Sequence, residues 1–156
     1  MVSREDFEAF LDRLGATGAT STEVEPNLWR VRPSGALDFD VVVSFAPPVA
    51  LLRVKVIDLP EDPAAEAALA RRLLELNATD LLHGAYGFTK DAVVLTDALE
   101  LAHLDYEEFR ASFESMTLAL GSHLRELAAC CLPDGTSVTG THRVPNAAPA
   151  APAEAR

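Results

Sequence analysis

Two aspartates, Asp38 and Asp40, are the residues whose spacing is most suggestive of chemistry. They lie two positions apart in a predicted strand, so their carboxylates share one face of a sheet. Paired carboxylates can bind a cation or act as general acid and base. We favour a simpler interpretation, in which they belong to a solvated strand face opposite Arg53 and Lys55. No second acidic cluster completes a site at a predictable position, and we expect no catalytic residue.

Histidine and cysteine, the other residue types that bind metals or act as nucleophiles, give no stronger signal. The chain has four histidines, of which no two share a helical turn: His83, His103, His123 and His142. HExxH and CxxC, two spacings typical of zinc sites, do not occur, and we expect no metal. Cys130 and Cys131 are interpreted as small apolar residues that pack a helix end in a reducing compartment. A strained vicinal disulfide is the alternative.

Glycine patterns that hold phosphates or nucleophiles do not occur either. GxGxxG, the P-loop and GxSxG are missing from the sequence. Gly84 and Gly87 flank a predicted strand, where glycine is typical of a bulge or a close backbone approach. We therefore predict that the protein is not an enzyme and binds no cofactor. Trp29 is a different kind of candidate. A single tryptophan on a strand is most often part of the core, but tryptophan is also enriched at protein interfaces, so Trp29 is kept as a contact candidate.

The charge balance narrows the class of partner. Lys and Arg total 13 against 24 Asp and Glu, so the formal net charge is −11. A nucleic-acid-binding protein needs clustered cations, and anionic lipid headgroups repel an acidic chain, so we expect neither partner. No apolar run approaches the roughly 18 residues of a membrane helix. The N-terminus lacks the apolar core of a signal peptide, and we expect a cytoplasmic protein.

Composition divides the chain at residue 132. Hydrophobic residues make up 49% of the sequence, enough for one core, and 156 residues correspond to one domain. The charges after residue 132 sum to zero: Asp134, Arg143, Glu154 and Arg156. That segment is rich in Pro, Ala, Thr and Gly and has almost no large apolar residue. We predict a folded domain over residues 1–132, which carries all the net charge, and a flexible tail over 133–156.

Three helices are predicted from capping residues and apolar stripes. Ser3 with Asp6 forms a capping box, Asp62 precedes a first-turn proline, and Asp105 begins the third helix. The stripes recur at spacings of three and four residues. They are Phe7, Phe10, Leu11 and Leu14 in the first helix, Leu69, Leu73 and Leu76 in the second, and a run from Tyr106 to Leu127 in the third.

Alternating apolar and polar residues predict the strands. Three runs, 28–32, 37–45 and 52–56, precede the second helix, and two, 84–88 and 92–96, follow it. The element order is therefore α-β-β-β-α-β-β-α. Because the strands come as antiparallel hairpins, we predict an α+β fold in which an antiparallel sheet of about five strands packs with three helices.

The hydrophobic pattern also selects the register of the first long hairpin. A loop over residues 46–49 places Phe45 opposite Ala50, and the same register places Asp40 opposite Lys55. A slip of one residue would mix apolar and charged side chains on both faces. The pattern therefore favours one hairpin, with an apolar inner face and a charged outer face.

The motifs between Leu73 and Leu127 carry a family resemblance. This stretch contains LLELN, then GFTKDAVVLTDALELAHLD, then YEEFRASFESMTLALGSHLREL. A helix ending in Leu-Asn is followed by a hairpin, a segment ending in Leu104-Asp105 and a long last helix. This order resembles the C-terminal half of the type III secretion (Tir) chaperones and, at least as much, the related YbjN-like proteins. One departure is Asp91-Ala92, where these proteins usually carry Asp-Gly.

The resemblance implies an α+β sandwich that is usually homodimeric and has no enzymatic activity. Secretion chaperones hold the N-terminal segment of an effector extended on their surface. We therefore expect a non-enzymatic protein-binding module, a homodimer that holds a peptide segment of a client protein. The alternative is a YbjN-like scaffold or signalling regulator that contacts a folded partner.

Two sets of residues are assigned to these contacts. Following the place where the chaperones dimerise, we assign the dimer interface to Leu69, Leu73 and Leu76. The alternative is that this stripe only covers the sheet. Partner binding is assigned to apolar residues near the N-terminus: Phe7, Phe10, Leu28, Trp29 and Val31. A partner strand could also add to an exposed edge of the sheet.

Overall fold

The structure is a computed structural model that describes residues 1–35 and 38–130. Its elements follow the order α-β-β-β-β-α-β-β-α. The helices are α1 (Arg4–Gly15), α2 (Pro63–Thr79) and α3 (Tyr106–Cys130). The strands are β1 (Thr20–Glu25), β2 (Leu28–Arg32), β3 (Val41–Ala46), β4 (Val49–Asp58), β5 (Ala85–Phe88) and β6 (Ala92–Glu100).

The predicted α+β class is confirmed, with one strand more than the five expected. The additional strand is β1, whose sequence TSTEVE does not alternate apolar and polar residues. Nearly all of its residues are exposed, because β1 is the outermost strand of the sheet. Alternation arises where one face of a strand is buried, so an exposed edge strand leaves little pattern in the sequence.

The strands form one antiparallel sheet in the order β1-β2-β3-β4-β6-β5. The predicted register of β3 and β4 is confirmed, since Phe45 pairs with Ala50. The pairing extends one residue further on each strand, so the turn consists of Pro47 and Pro48 alone, joined by a cis peptide bond.

β3 begins later than predicted, at Val41, and this changes the partner of Asp40. The Asp40 carboxylate accepts a hydrogen bond from Arg32 Nε at 2.9 Å, and the pairing of β3 with β4 ends at Val42 and Arg53, short of Asp40 and Lys55. Lys55 instead pairs with Asp58 of its own strand at 2.7 Å. The start of the predicted run lies outside the described residues.

The predicted helix starts are confirmed by their caps. Ser3 Oγ accepts a hydrogen bond from the Asp6 N–H at 3.1 Å, while the Asp6 carboxylate accepts one from the Ser3 N–H at 3.0 Å. Asp62 and Asp105 each accept a hydrogen bond from the backbone N–H three residues on, at 2.9 and 2.8 Å. These bonds satisfy N–H groups that have no partner within the helix.

All three helices contribute to one core on one face of the sheet. Strand side chains of one parity, such as Val43, Leu52 and Leu95, are fully buried there with residues of α1, α2 and α3. Side chains of the opposite parity, such as Val42 and Arg53, are exposed. In the described part of the chain, the second face of the sheet therefore has no covering layer.

Within the described residues, no helix is both long and apolar enough to span a bilayer. The predicted tail, residues 133–156, and Cys131 lie outside the described residues. α3 extends to Cys130, and the predicted packing of the two cysteines stays a prediction.

Candidate protein-binding surface

The residues predicted to bind a partner lie mainly in the core. Phe7, Trp29 and Val31 are at most 5% exposed. The ring centroids of Phe7 and Trp29 are 5.8 Å apart, as expected for packed aromatic side chains. Phe10 and Leu28 are half-buried. These last two are therefore the members of the set that keep surface for contact with another molecule.

The leucines predicted to form a dimer interface lie on the core side of α2. Leu69, Leu73 and Leu76 are at most 3% exposed within the single chain. This burial favours the alternative interpretation, in which the stripe covers the sheet. Leu74 on the outer side of α2 is 68% exposed, and Leu82 just beyond the helix is 89% exposed. A second copy that contacts α2 would meet Leu74 before the stripe.

The outer edge of β5 is closed by a side chain of α2. Asn77 Nδ2 donates a hydrogen bond to the Tyr86 carbonyl at 3.1 Å, and the Tyr86 N–H donates one to Asn77 Oδ1 at 2.8 Å. The amide thus pairs with both backbone groups of one residue, as a neighbouring strand would. A partner strand cannot occupy this position while Asn77 remains there.

A hydrogen-bond network around the buried side chain of His123 joins the same region to α3. The Tyr86 hydroxyl lies 3.0 Å from His123 Nδ1, and His123 Nε2 lies 3.3 Å from the Asp80 carboxylate. Burial raises the pKa of Tyr86 to about 12, so the phenol stays protonated at neutral pH. The pKa of Asp80 is lowered, first by the hydrogen bond from Thr79 and then by that from His123.

This network ties the end of α2, β5 and α3 together. Sequence reasoning missed it, because the partners of His123 lie 37 and 43 residues away from it. No local spacing rule connects residues at such separations. Its histidine is nearly fully buried, which suits a structural role.

The opposite edge of the sheet, β1, has no such cover in the described part of the chain. β1 pairs with β2 on one side only. Val24 is 43% exposed, and Glu23 forms an ion pair with Arg4 of α1 at 2.9 Å. An edge strand presents N–H and C=O groups with which another strand can pair. β1 is therefore the accessible edge of the sheet.

The two aspartates with suggestive spacing are surface charges. Asp40 pairs with Arg32 at 2.9 Å and lies 3.8 Å from Arg30, and the hydrogen bond raises the pKa of Arg32. Asp38 is exposed. The face is charge-paired as interpreted from the sequence, with cations of β2 rather than β4 as the partners. Among residues 1–35 and 38–130, no three His, Cys, Asp or Glu side chains are grouped as a metal site.

Solved structures of low sequence identity share this fold. YbjN from E. coli has a TM-score of 0.57 at 17% identity, covering 80% of this chain and 93% of its own. A chain of the ExsC–ExsE complex has a TM-score of 0.57 at 20% identity, covering 81% and 97%. A chain of the HopA1–SchA chaperone–effector complex has a TM-score of 0.53 at 12% identity, covering 83% and 99%. At these identities the likeness shows the fold alone.

The sequence itself matches a family model. No curated protein matches the chain in sequence. The CesT_Tir_1 model, however, matches residues 3–132, which include every helix and strand described above. The match spans well over half of the chain and confirms the resemblance read from the Leu-Asn and Leu-Asp motifs. The chain therefore belongs to the CesT_Tir_1 family, the family of the type III secretion chaperones.

Proposed function

We propose that the protein is a non-enzymatic, cytoplasmic chaperone-like module that works as a homodimer and holds a peptide segment of a client protein. Its partner is a protein, and no nucleic acid, membrane or cofactor takes part. The observation that carries the proposal is the difference between the two sheet edges. Asn77 closes β5, whereas β1 has no strand on its outer side in the described part of the chain. Family membership supports the same role.

A client segment would add to β1 as a further antiparallel or parallel strand. Backbone hydrogen bonds would hold it extended with little dependence on its sequence. Val24 offers apolar contact, and the exposed carboxylate of Glu25 favours a segment that carries a cation. The net charge of −11 keeps a module with accessible apolar surface soluble between clients.

The homodimer is proposed to form through α2. Its outward side carries Leu74, and Leu82 follows the helix, both strongly exposed. A large apolar side chain at such exposure gains free energy when a second copy covers it. The two-fold arrangement would place the same surface of both copies in contact.

A YbjN-like scaffold or signalling regulator is the second candidate, favoured by the shared fold with YbjN. Such a protein would contact a folded partner and leave it folded. Phe10 of α1 and Leu28 of β2 are the half-buried residues of the predicted set that this role would use, and they lie on opposite faces of the sheet. The two candidates therefore differ in whether the partner is recognised as an extended segment or as a folded surface.

The test begins with affinity isolation of the full chain from its native cells. The partner's N-terminal segment is then synthesised, and its affinity is compared with that of the whole folded partner. A client-holding module binds the isolated segment, whereas a scaffold binds only the folded partner. Binding restricted to the folded partner would contradict our proposal and support the second candidate.

Two variants at one position locate the site. Val24→Pro removes a backbone N–H from β1 and disfavours strand pairing, and it should weaken segment binding by about tenfold. Val24→Thr keeps the N–H and the strand propensity and should bind as the wild type does. Equal binding by both variants would exclude β1 as the site.

A further inference from the structure

The open face of the sheet carries a cross-strand row with two arginines near its centre. Arg30 of β2 lies opposite Val42 of β3, and Val42 lies opposite Arg53 of β4. The row continues to Thr96 of β6. Val42 is 39% exposed and Arg30 keeps 60% of its side-chain surface. An apolar side chain between two cations is therefore accessible on the face that the helices leave uncovered.

This face carries as many cations as carboxylates, in a chain whose net charge is −11. The cations are Arg30, Arg32, Arg53 and Lys55, and the carboxylates are Glu25, Asp40, Asp58 and Glu100. Arg32 and Lys55 share the face, and each is paired with one carboxylate, Asp40 and Asp58. Arg30 lies within 3.8 Å of that same Asp40, so two cations share one anion. Arg53 has no ion pair with any residue of the described ranges. The open face is therefore much less acidic than the chain as a whole, and within the described residues Arg53 is its unpaired cation.

Apolar surface accompanies these cations. Leu28, Ser44, Leu51 and Ala98 form the neighbouring cross-strand row, in which both leucines are half-buried. Six strands at spacings of about 4.8 Å give a face roughly 24 Å wide, and an α-helix is about 10–12 Å across. Helices are also the elements that cover both faces of the sheet in α/β architectures.

We propose that this open face binds an amphipathic helix of a partner protein whose apolar stripe is flanked by Asp and Glu. The stripe covers Val42 and Leu51, and the flanking carboxylates reach Arg30 and Arg53. This surface is separate from the β1 edge and adds a second binding function to the one proposed above. A protein helix fits better than a nucleic acid, because apolar side chains separate the cations and the net charge repels a polyanion.

The experiment measures fluorescence anisotropy of labelled probes titrated with the full chain. The first probe is a helical peptide with a leucine stripe flanked by glutamates, and the second has lysines in place of the glutamates. The third is a single-stranded oligodeoxythymidine. We expect the glutamate peptide to bind, the lysine peptide to bind at least about tenfold more weakly, and the oligonucleotide to bind no better than the lysine peptide.

Matched double variants assign the binding to the face. Arg30→Gln/Arg53→Gln should lower the affinity for the glutamate peptide by about tenfold, consistent with two exposed charge pairs. Arg71→Gln/Arg125→Gln removes the same charge from α2 and α3, where both residues are exposed, and should leave the affinity unchanged. Val24→Pro should also leave it unchanged, which separates this proposal from that for the β1 edge.

Several outcomes would overturn the proposal. These are no binding of the glutamate peptide, equal binding of the lysine peptide, and an affinity that the Arg30→Gln/Arg53→Gln variant does not alter. Tighter binding of the oligonucleotide, lost in that variant, would assign the face to nucleic acid. Conversion of a dimer to a monomer by the same variant, measured by light scattering, would assign the face to a second copy of this chain.

Discussion

The side-chain amide of Asn77 forms two hydrogen bonds with the backbone of Tyr86, at 3.1 and 2.8 Å, and so occupies the outer edge of β5. Asn77 is the asparagine of the Leu-Asn pair in the last turn of α2, one of the motifs behind the family resemblance. Leu76 of that pair is fully buried in the core. The two residues of the motif therefore have different structural roles. Leu76 packs α2 against the sheet, and Asn77 closes the outer edge of β5.

Asn77→Ala should lower the free energy of unfolding by about 1–2 kcal/mol, because it removes two hydrogen bonds at a partly buried site. Urea denaturation measures the loss. Asn77→Gln, which keeps the amide but moves it by one methylene, should be similarly destabilised because the geometry no longer fits. Wild-type stability in both variants would mean that solvent replaces the amide without cost.

Tyr86 should make stability fall at alkaline pH. Its pKa is about 12 in the folded protein against an ordinary value of 10.0, because burial disfavours the phenolate. The unfolded chain therefore loses its proton first, and the contribution to stability, complete below pH 10, is lost as the pH rises through about 12. Urea unfolding at a series of pH values measures this decline.

Tyr86→Phe should remove that part of the decline, and at neutral pH it should cost about 1 kcal/mol for the hydrogen bond to His123. Tyr106→Phe retains Tyr86 and serves as the control, with the alkaline decline preserved. Identical pH profiles for wild type and Tyr86→Phe would show that the phenol ionises equally in the folded and unfolded chains.

Phe7→Ala should destabilise the fold by about 3–5 kcal/mol, the usual cost of removing a buried aromatic ring. Its ring is fully buried and lies 5.3 Å from that of Phe109 in a T-shaped arrangement. Phe10→Ala, at a half-buried position of the same helix, should cost less. Chemical denaturation measures the free energy of unfolding of both variants. An equal decrease in the two would argue against a core position for Phe7.

Leu74→Glu should convert the proposed homodimer to a monomer, since it places a charge on the outward side of α2. Static light scattering should give twice 16.7 kDa for the wild type and 16.7 kDa for the variant. Leu118→Glu, at an equally exposed leucine of α3, is the matched control and should remain dimeric. A monomeric wild type at micromolar concentration, or a dimer that only Leu118→Glu disrupts, would refute the α2 interface.

Some features of the fold could be predicted because their signals are local. Ser3, Asp62 and Asp105 define the helix starts through bonds to residues three positions away. The pairing of Phe45 with Ala50 follows from an alternation of period two on both strands. β1 was not predicted, because an exposed edge strand has no buried face. Its apolar and polar residues therefore do not alternate.

The sequence by itself determined the α+β class, the helix starts, the central hairpin register and the family, since caps, alternation and short motifs act over a few residues. Only the tertiary structure decided which surfaces remain accessible. The spacing of Leu69, Leu73 and Leu76 is the same for a helix that packs on its own sheet and for one that packs on a second copy. In the folded chain these three leucines are buried in the core beneath α2. The contacts of Asn77 and His123 likewise depend on how distant elements pack, which no local spacing specifies.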